Sequence, residues 1–315
     1  MTVLTSLRTL VSVGLGLKRL LDLGRAPAPD AADAQTLELL RRADEARQAG
    51  RRDEAGTLYR QILQSRKNHL GALRGLRDLA AAAGQWSQAL EAQQRIIGAV
   101  GSSERSPETE WLAVVHYELG RAELAGGHAS AALPHLKNAV RADRHFLPAA
   151  LAVGDAHETL GEHREAVRAW ERAAEIHGAL PLLARLERAY RQEGRPTRMI
   201  ALYREALERA PDDLALAVAL GRVFFELEML DEAADQFEKV EVQAPDLPVV
   251  HAFLGAVFER RGERREAFEE YRRALRLGHA FDWPHRCDAC GAATPVWQDR
   301  CPACRRWNTL RPARP

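Results

Sequence analysis

The chain has 315 residues, 46% hydrophobic and 28% charged, with 45 Lys+Arg against 44 Asp+Glu for a net charge of +1. This balance excludes wholesale disorder, which needs low hydrophobicity and high net charge, and it gives no global polyelectrolyte signal for nucleic acid. All four cysteines lie between Cys287 and Cys304, which excludes a disulfide-stapled secreted fold and points to metal held by thiols kept reduced, as in the cytoplasm.

Residues 1–24 read as an amphipathic helix. Val3, Leu7, Leu10, Gly14, Leu17 and Leu21 share one face, and Thr2, Thr5, Thr9, Ser12 and Arg19 lie opposite. Arg8 and Lys18 leave nine uncharged residues between them, against the roughly 20 apolar residues a spanning helix needs. Lys18 and Arg19 also stand where a signal peptide would carry its cleavage region. The pattern suits peripheral attachment to an anionic membrane surface; a helix packed on the first repeat or on another subunit would look the same. Residues 25–36, with Ala26-Pro27-Ala28-Pro29, read as a linker.

From residue 37 to 279 the pattern is helical and repetitive. Turn positions fall at Gly50, Gly84, Gly127, Gly161, Gly194, Glu228 and Gly262, in steps of 34, 43, 34, 33, 34 and 34 residues. A small residue or Met follows five positions later (Ala55, Ala89, Ala132, Ala166, Met199, Ala233, Ala267). Four further on stands a large side chain in most repeats: Tyr59, Leu136, Trp170, Tyr203, Phe237 and Tyr271. Gly120, Gly154, Gly221 and Gly255 sit seven before the turn. This resembles the tetratricopeptide repeat, a 34-residue helix–turn–helix unit whose apolar face is buried by stacking on its neighbours. About seven repeats are implied. The 43-residue step reads as a loop inserted around Gly98–Pro107.

Tetratricopeptide arrays use their first helices to line a concave groove. Carried over, that geometry puts Arg74, Tyr117, Arg121, Arg188, Arg191, Arg222 and Phe225 on the groove wall. Two readings follow: a surface for a partner with acidic and apolar residues, or a solvated face whose arginines pair with the chain's own Asp and Glu.

Residues 280–315 carry Cys287-x2-Cys290-x10-Cys301-x2-Cys304, two knuckles able to close a tetrahedral shell around one Zn or Fe ion. With four thiolates no coordination position stays open, so the metal is structural. Thirty residues make no core of their own, so Trp283, Trp297 and Trp307 are expected to supply apolar contacts. The short link from the last helix predicts docking on the last repeats, beside Arg222. Arg286, Arg300, Arg305, Arg306, Arg311 and Arg314 leave open a nucleic-acid-binding ribbon.

Cys301, Pro302, Cys304, Trp307, Thr309, Leu310 and Pro312 spell C-P-x-C-x-x-W-x-T-L-x-P. Together with the repeats, this tail resembles the lipopolysaccharide assembly protein B family. The resemblance implies an all-α tetratricopeptide solenoid with a small C-terminal rubredoxin-like zinc ribbon that packs against the repeats. It implies a non-enzymatic adaptor on the cytoplasmic face of the inner membrane, through which a membrane AAA+ protease degrades the deacetylase committed to lipid A synthesis. The family has an uninterrupted transmembrane helix at its N-terminus, which Arg8 and Lys18 break here. No G-x-S-x-G, Walker or H-E-x-x-H motif is present, and His116, His157 and His251 read as packing or surface residues. A generic cytosolic scaffold, or a nucleic-acid-associated repeat protein, is the alternative.

Overall fold

The computed structural model describes residues 31–277 and 284–313. The helix expected over residues 1–24, together with Trp283 and Arg314, lies outside the described residues. The chain forms two compact units, Met1–Ala83 and Gly84–Pro315. In the first, α1 (Ala31–Gln48), α2 (Arg52–Ser65) and α3 (Leu70–Ala82) close over Ala43, Ala46, Tyr59, Ile62 and Ala72. Helix α1 already includes residues 31–36, assigned above to the linker. Their Ala-rich composition favours helix, and Asp33 is ion-paired with Arg66 of the α2 C-cap.

The second unit begins with α4 (Trp86–Ala99) and continues through five helical hairpins. These are α5 (Arg105–Ala125) with α6 (Ala129–Ala142), α7 (Leu147–Thr159) with α8 (His163–Ala174), α9 (Leu180–Gln192) with α10 (Pro196–Arg209), α11 (Leu214–Glu226) with α12 (Leu230–Gln243), and α13 (Pro248–Arg261) with α14 (Arg264–Leu277). The insertion predicted as a loop is largely helical. A 3-10 turn, Ser102–Glu104, runs straight into α5, which is 21 residues long. Pro107 does not prevent this, because it falls in the first helical turn, where the missing N–H costs nothing.

Two spacings in the sequence have direct structural causes. The turn residues adopt the left-handed conformation, with φ from 65° to 83° at the six turn glycines. Glu228 takes their place in its hairpin at φ 59°. The backbone then closes a Schellman cap, as where Glu162 N–H donates to His157 O at 2.9 Å and Met229 N–H to Phe224 O at 3.0 Å. The second cause is a close approach sixteen residues apart. A Cβ at Gly154 would lie 2.0 Å from Trp170 Nε1, and one at Gly221 would lie 2.6 Å from the Phe237 ring. Gly120 with Leu136 and Gly255 with Tyr271 repeat the contact. The large side chain of the second helix lies flat against bare backbone of the first, and Trp170, Phe237 and Leu136 are fully buried there.

Helix α9 breaks this rule, since Glu187 stands where the glycine belongs. Its partner Tyr203 donates a 2.6 Å hydrogen bond to Glu187 Oε2 in place of the ring-on-backbone contact. Arg222 reaches the same carboxylate at 2.6 Å and Arg191 at 2.8 Å. Burial opposes the charge, but these three donors hold Glu187 below the usual carboxylate range.

After residue 283 the chain forms a small antiparallel sheet in the order β2–β1–β3: β1 (His285–Cys287), β2 (Ala293–Thr294) and β3 (Leu310–Pro312). The register pairs Arg286 with Ala293 on one side and with Arg311 on the other.

The close approach sets the cost of one added methyl. Gly154→Ala gains about 1 kcal/mol of helix propensity but forces the buried Trp170 indole aside, at about 1–3 kcal/mol or more. It should lower stability in urea unfolding and shift the Trp170 emission. Gly161→Ala, with nothing within 4 Å of its Cβ, should cost only the left-handed strain of about 1–2 kcal/mol and leave the emission unchanged.

A candidate metal centre docked on the repeats

The two knuckles are built alike. Gly291 N–H donates to Cys287 O at 2.8 Å, and Arg305 N–H donates to Cys301 O at 3.0 Å. The residue after each pair is left-handed: Gly291 at φ 73° and Arg305 at φ 62°. Cys301 N–H donates to Arg306 O, and Asn308 N–H to Asp299 O, each at 2.8 Å, which closes the second knuckle into a hairpin. The four sulfurs all lie within 4.8 Å of one another. Cys287 and Cys304 Sγ are 3.7 Å apart, and Cys290 and Cys301 Sγ are 3.8 Å apart. A tetrahedron with metal–sulfur bonds of about 2.3 Å has edges of about 3.8 Å, so the residues fit one thiolate-bound ion, zinc or iron.

The surroundings favour the thiolate at Cys287 and Cys301, whereas at Cys290 the Ala292 N–H is outweighed by burial and the neighbouring cysteines, which push that thiol up to about 11. The Thr309 hydroxyl, 3.1 Å from Cys287 Sγ, and the N–H groups of Ala289 and Cys290 draw that thiol down to about 6. The N–H of Cys304, aided by that of Ala303, lowers Cys301. Cys287 and Cys301 are buried around Leu310, while Cys290 is exposed.

The tail motif can now be read residue by residue. Thr309 bonds a ligand sulfur, Leu310 forms the small core, and Pro312 pairs with His285 across the sheet. Trp307 turns its ring from the ribbon onto the repeats. It meets Tyr117 of α5 edge-on, with ring centroids 5.8 Å apart, and its outer side carries the Arg300 guanidinium 5.0 Å from the ring centre. The Tyr117 hydroxyl donates to Asp299 Oδ2 at 2.7 Å. Burial, and then the Asp299 charge, push the Tyr117 phenol far above its usual range. Asn308 Nδ2 donates to His145 O at 3.2 Å. Trp297 packs against the main core of this unit.

Docking therefore falls on the middle of the array, not beside Arg222 on the last repeats. A 330 Å³ cleft between ribbon and repeats is lined by His145, Leu147, His177, Leu180, Leu216 and Trp297, among others. Beside Trp297, the contacts come from residues flanking the second knuckle, Asp299, Trp307 and Asn308. A link-length argument could not locate them, because it weighs reach and not the complementary surface.

Of the predicted groove residues, Tyr117 is therefore covered by the ribbon. Arg121 bonds Glu118 at 2.8 Å, and Arg188 bonds Glu158 at 2.7 Å. Arg191 and Arg222 each bond both Glu187 and Glu226. Phe225 meets Phe253 edge-on at 5.9 Å and carries the Arg260 guanidinium 4.8 Å above its ring. Arg74 is half-buried in the first unit. The structure thus brings Arg188, Arg191 and Arg222 into a run of internal ion pairs. Asp299, Asn308 and His145 were not anticipated. His157 bonds Glu162 at 2.6 Å and His251 bonds Glu270 at 2.7 Å, while His116 is buried beside His135. Among the described residues no helix is long and apolar enough to cross a membrane.

A repeat array carrying a four-cysteine ribbon defines the class: this is a tetratricopeptide-repeat protein with a C-terminal rubredoxin-type metal-binding domain. Family comparison matches residues 285–312 to a rubredoxin metal binding domain and residues 117–181 and 190–257 to tetratricopeptide repeats. The resemblance read from the tail holds as well. The chain is 26% identical to lipopolysaccharide assembly protein B of Escherichia coli strain K12 over 275 residues, covering 84% of this chain and 68% of that protein. The same values hold for the O157:H7 protein. Among solved structures, the C-terminal part of a TPR repeat-containing protein from Cytophaga hutchinsonii is 16% identical at a TM-score of 0.48, covering 76% of this chain and 95% of that one. YrrB, a TPR protein with an unusual peptide-binding site, is 20% identical at 0.40, covering 60% and 94%.

Loss of the metal should undo the docked face, whereas loss of the docked face should leave the metal in place. Elemental analysis should give about one Zn or Fe per chain. Chelation, or Cys301→Ser, should strip the ion and deprotect amides around residues 113–121 and 145–149 in hydrogen exchange. Helices α1–α3 should be unaffected, because repeat stability is local. Trp307→Ala should deprotect the same amides while keeping the metal.

Proposed function

We propose that this chain is a non-enzymatic, protein-binding adaptor in lipopolysaccharide assembly, which presents a client enzyme of lipid A synthesis, the deacetylase, to a membrane AAA+ protease. The observation that carries this reading is the joint architecture. The chain aligns with lipopolysaccharide assembly protein B across repeats and ribbon together, and the ribbon is seated on the repeats through Tyr117, Asp299 and Trp307. A closed four-thiolate shell offers no open coordination position for chemistry, which leaves the repeats as the working surface.

On that surface Arg188, Arg191, Arg222 and Phe225 form the open part of the proposed groove, while Tyr117 and Arg121 lie under or beside the ribbon. The internal carboxylates of Glu158, Glu187 and Glu226 pair with the arginines. An incoming acidic segment exchanges one carboxylate partner for another, an arrangement that favours selectivity over raw affinity. Residues 1–24, with their apolar face and basic ends, would hold the adaptor peripherally on the cytoplasmic face of the inner membrane.

Crosslinking and affinity capture from cells test the reading. Wild type should recover both a membrane AAA+ protease and the deacetylase. Arg188→Glu with Phe225→Ala should lose the client while circular dichroism and metal content stay unchanged. Recovery of neither protein, or of nucleic acid released by salt, would overturn the adaptor reading. Alkaline carbonate should release the protein from membranes, and Leu10→Glu should move it to the soluble fraction.

A further inference from the structure

We propose that Glu241, His251 and Glu270 form a second cation site, for a divalent metal of the zinc class, at the C-terminal end of the repeat array. The three residues come from successive helices, α12, α13 and α14. One donor atom from each lies within 4.8 Å of the other two. His251 is only 2% exposed. Its Nε2 lies 2.7 Å from the Pro245 carbonyl, an atom that can only accept, so Nε2 carries a proton. Nδ1 is thereby turned towards the carboxylates, 2.7 Å from Glu270 Oε2 and 4.0 Å from Glu241 Oε1.

A histidine with one ring N–H tied to a backbone carbonyl and the other nitrogen facing carboxylates is arranged as metal-binding histidines are. Donors about 2.1 Å from a tetrahedral ion lie about 3.4 Å apart, so movements of about 0.7 Å at the two glutamates would complete three corners. Water would fill the fourth. The mixed nitrogen and oxygen set suits zinc or cobalt, whereas magnesium and calcium take all-oxygen shells. Arg273 now balances the charge, with Nη1 3.0 Å from Glu270 Oε1 and 3.4 Å from Glu241 Oε1. Its side chain is 56% exposed and can turn into solvent when a cation replaces it. Metal binding at Nδ1 also releases any proton held between Nδ1 and Glu270. The gain is a crosslink through α12, α13 and α14, the last three helices among the described residues.

The test uses the full-length protein with its cysteine shell loaded with zinc, titrated with cobalt(II) alone. A second equivalent should bind with the intense visible ligand-field bands of four-coordinate cobalt and no sulfur-to-metal charge transfer, and it should raise the protection of residues 230–277 in hydrogen exchange. Glu241→Gln, at a side chain 30% exposed, leaves the His251–Glu270 contact in place. It should weaken the second equivalent about tenfold or more without touching the first. Glu270→Gln should do the same. Binding of no second equivalent, or of one equally strong in wild type and Glu241→Gln, would overturn the site.

Discussion

The docking of the ribbon rests on the ring-to-ring and hydroxyl-to-carboxylate contact between Tyr117 and the second cysteine knuckle. Asp299 and Trp307 reach Tyr117 only because the hairpin between them is closed by Cys301 and Cys304 and by two backbone hydrogen bonds. A segment of this length cannot bury enough apolar surface to hold that shape unaided. The sulfur shell fixes the knuckle, the knuckle aims two side chains, and those two side chains cover one wall of the repeat array. The four-sulfur shell thus decides which face of the repeats the ribbon covers.

The repeats solve a different problem with one device. Gly120, Gly154, Gly221 and Gly255 let a bulky side chain of the following helix rest on main chain, which brings the two helices close. Where Glu187 replaces the glycine, the hairpin is held by hydrogen bonds and ion pairs instead. The same glutamate recruits Arg191 and Arg222. A polar hub inside the array and the orientation of these two arginines therefore have one cause.

Much of this was legible in the sequence because its causes are local. The turn period, the sixteen-residue spacing and the two C-x2-C pairs each reflect contacts within one hairpin, and Glu228 could be placed at a turn by register alone. The docking site was not legible. Tyr117 and Asp299 are separated by 182 residues, and neither carries a local signature of the other. The arginine pairing was visible only as one of two readings, since Glu158, Glu187 and Glu226 become neighbours of Arg188, Arg191 and Arg222 only after the hairpins stack. The insertion before α5 was misjudged because its Gly and Ser content suggests a loop, while its later part, from Arg105, prolongs the helix.

Stacked helical hairpins behave as a spring, since each touches only its neighbours and small changes between them add up along the array. The bond between Tyr117 and Asp299 turns the stretch from α5 to the ribbon into a closed ring. Within that ring the hairpins α7 to α14 cannot lengthen or uncoil one by one under tension without first opening the clasp. Load applied at the C-terminal end passes through the metal-held knuckle to α5, bypassing the helices between. A pull on that end thus meets a frame that resists stretching before the hairpins inside it can yield.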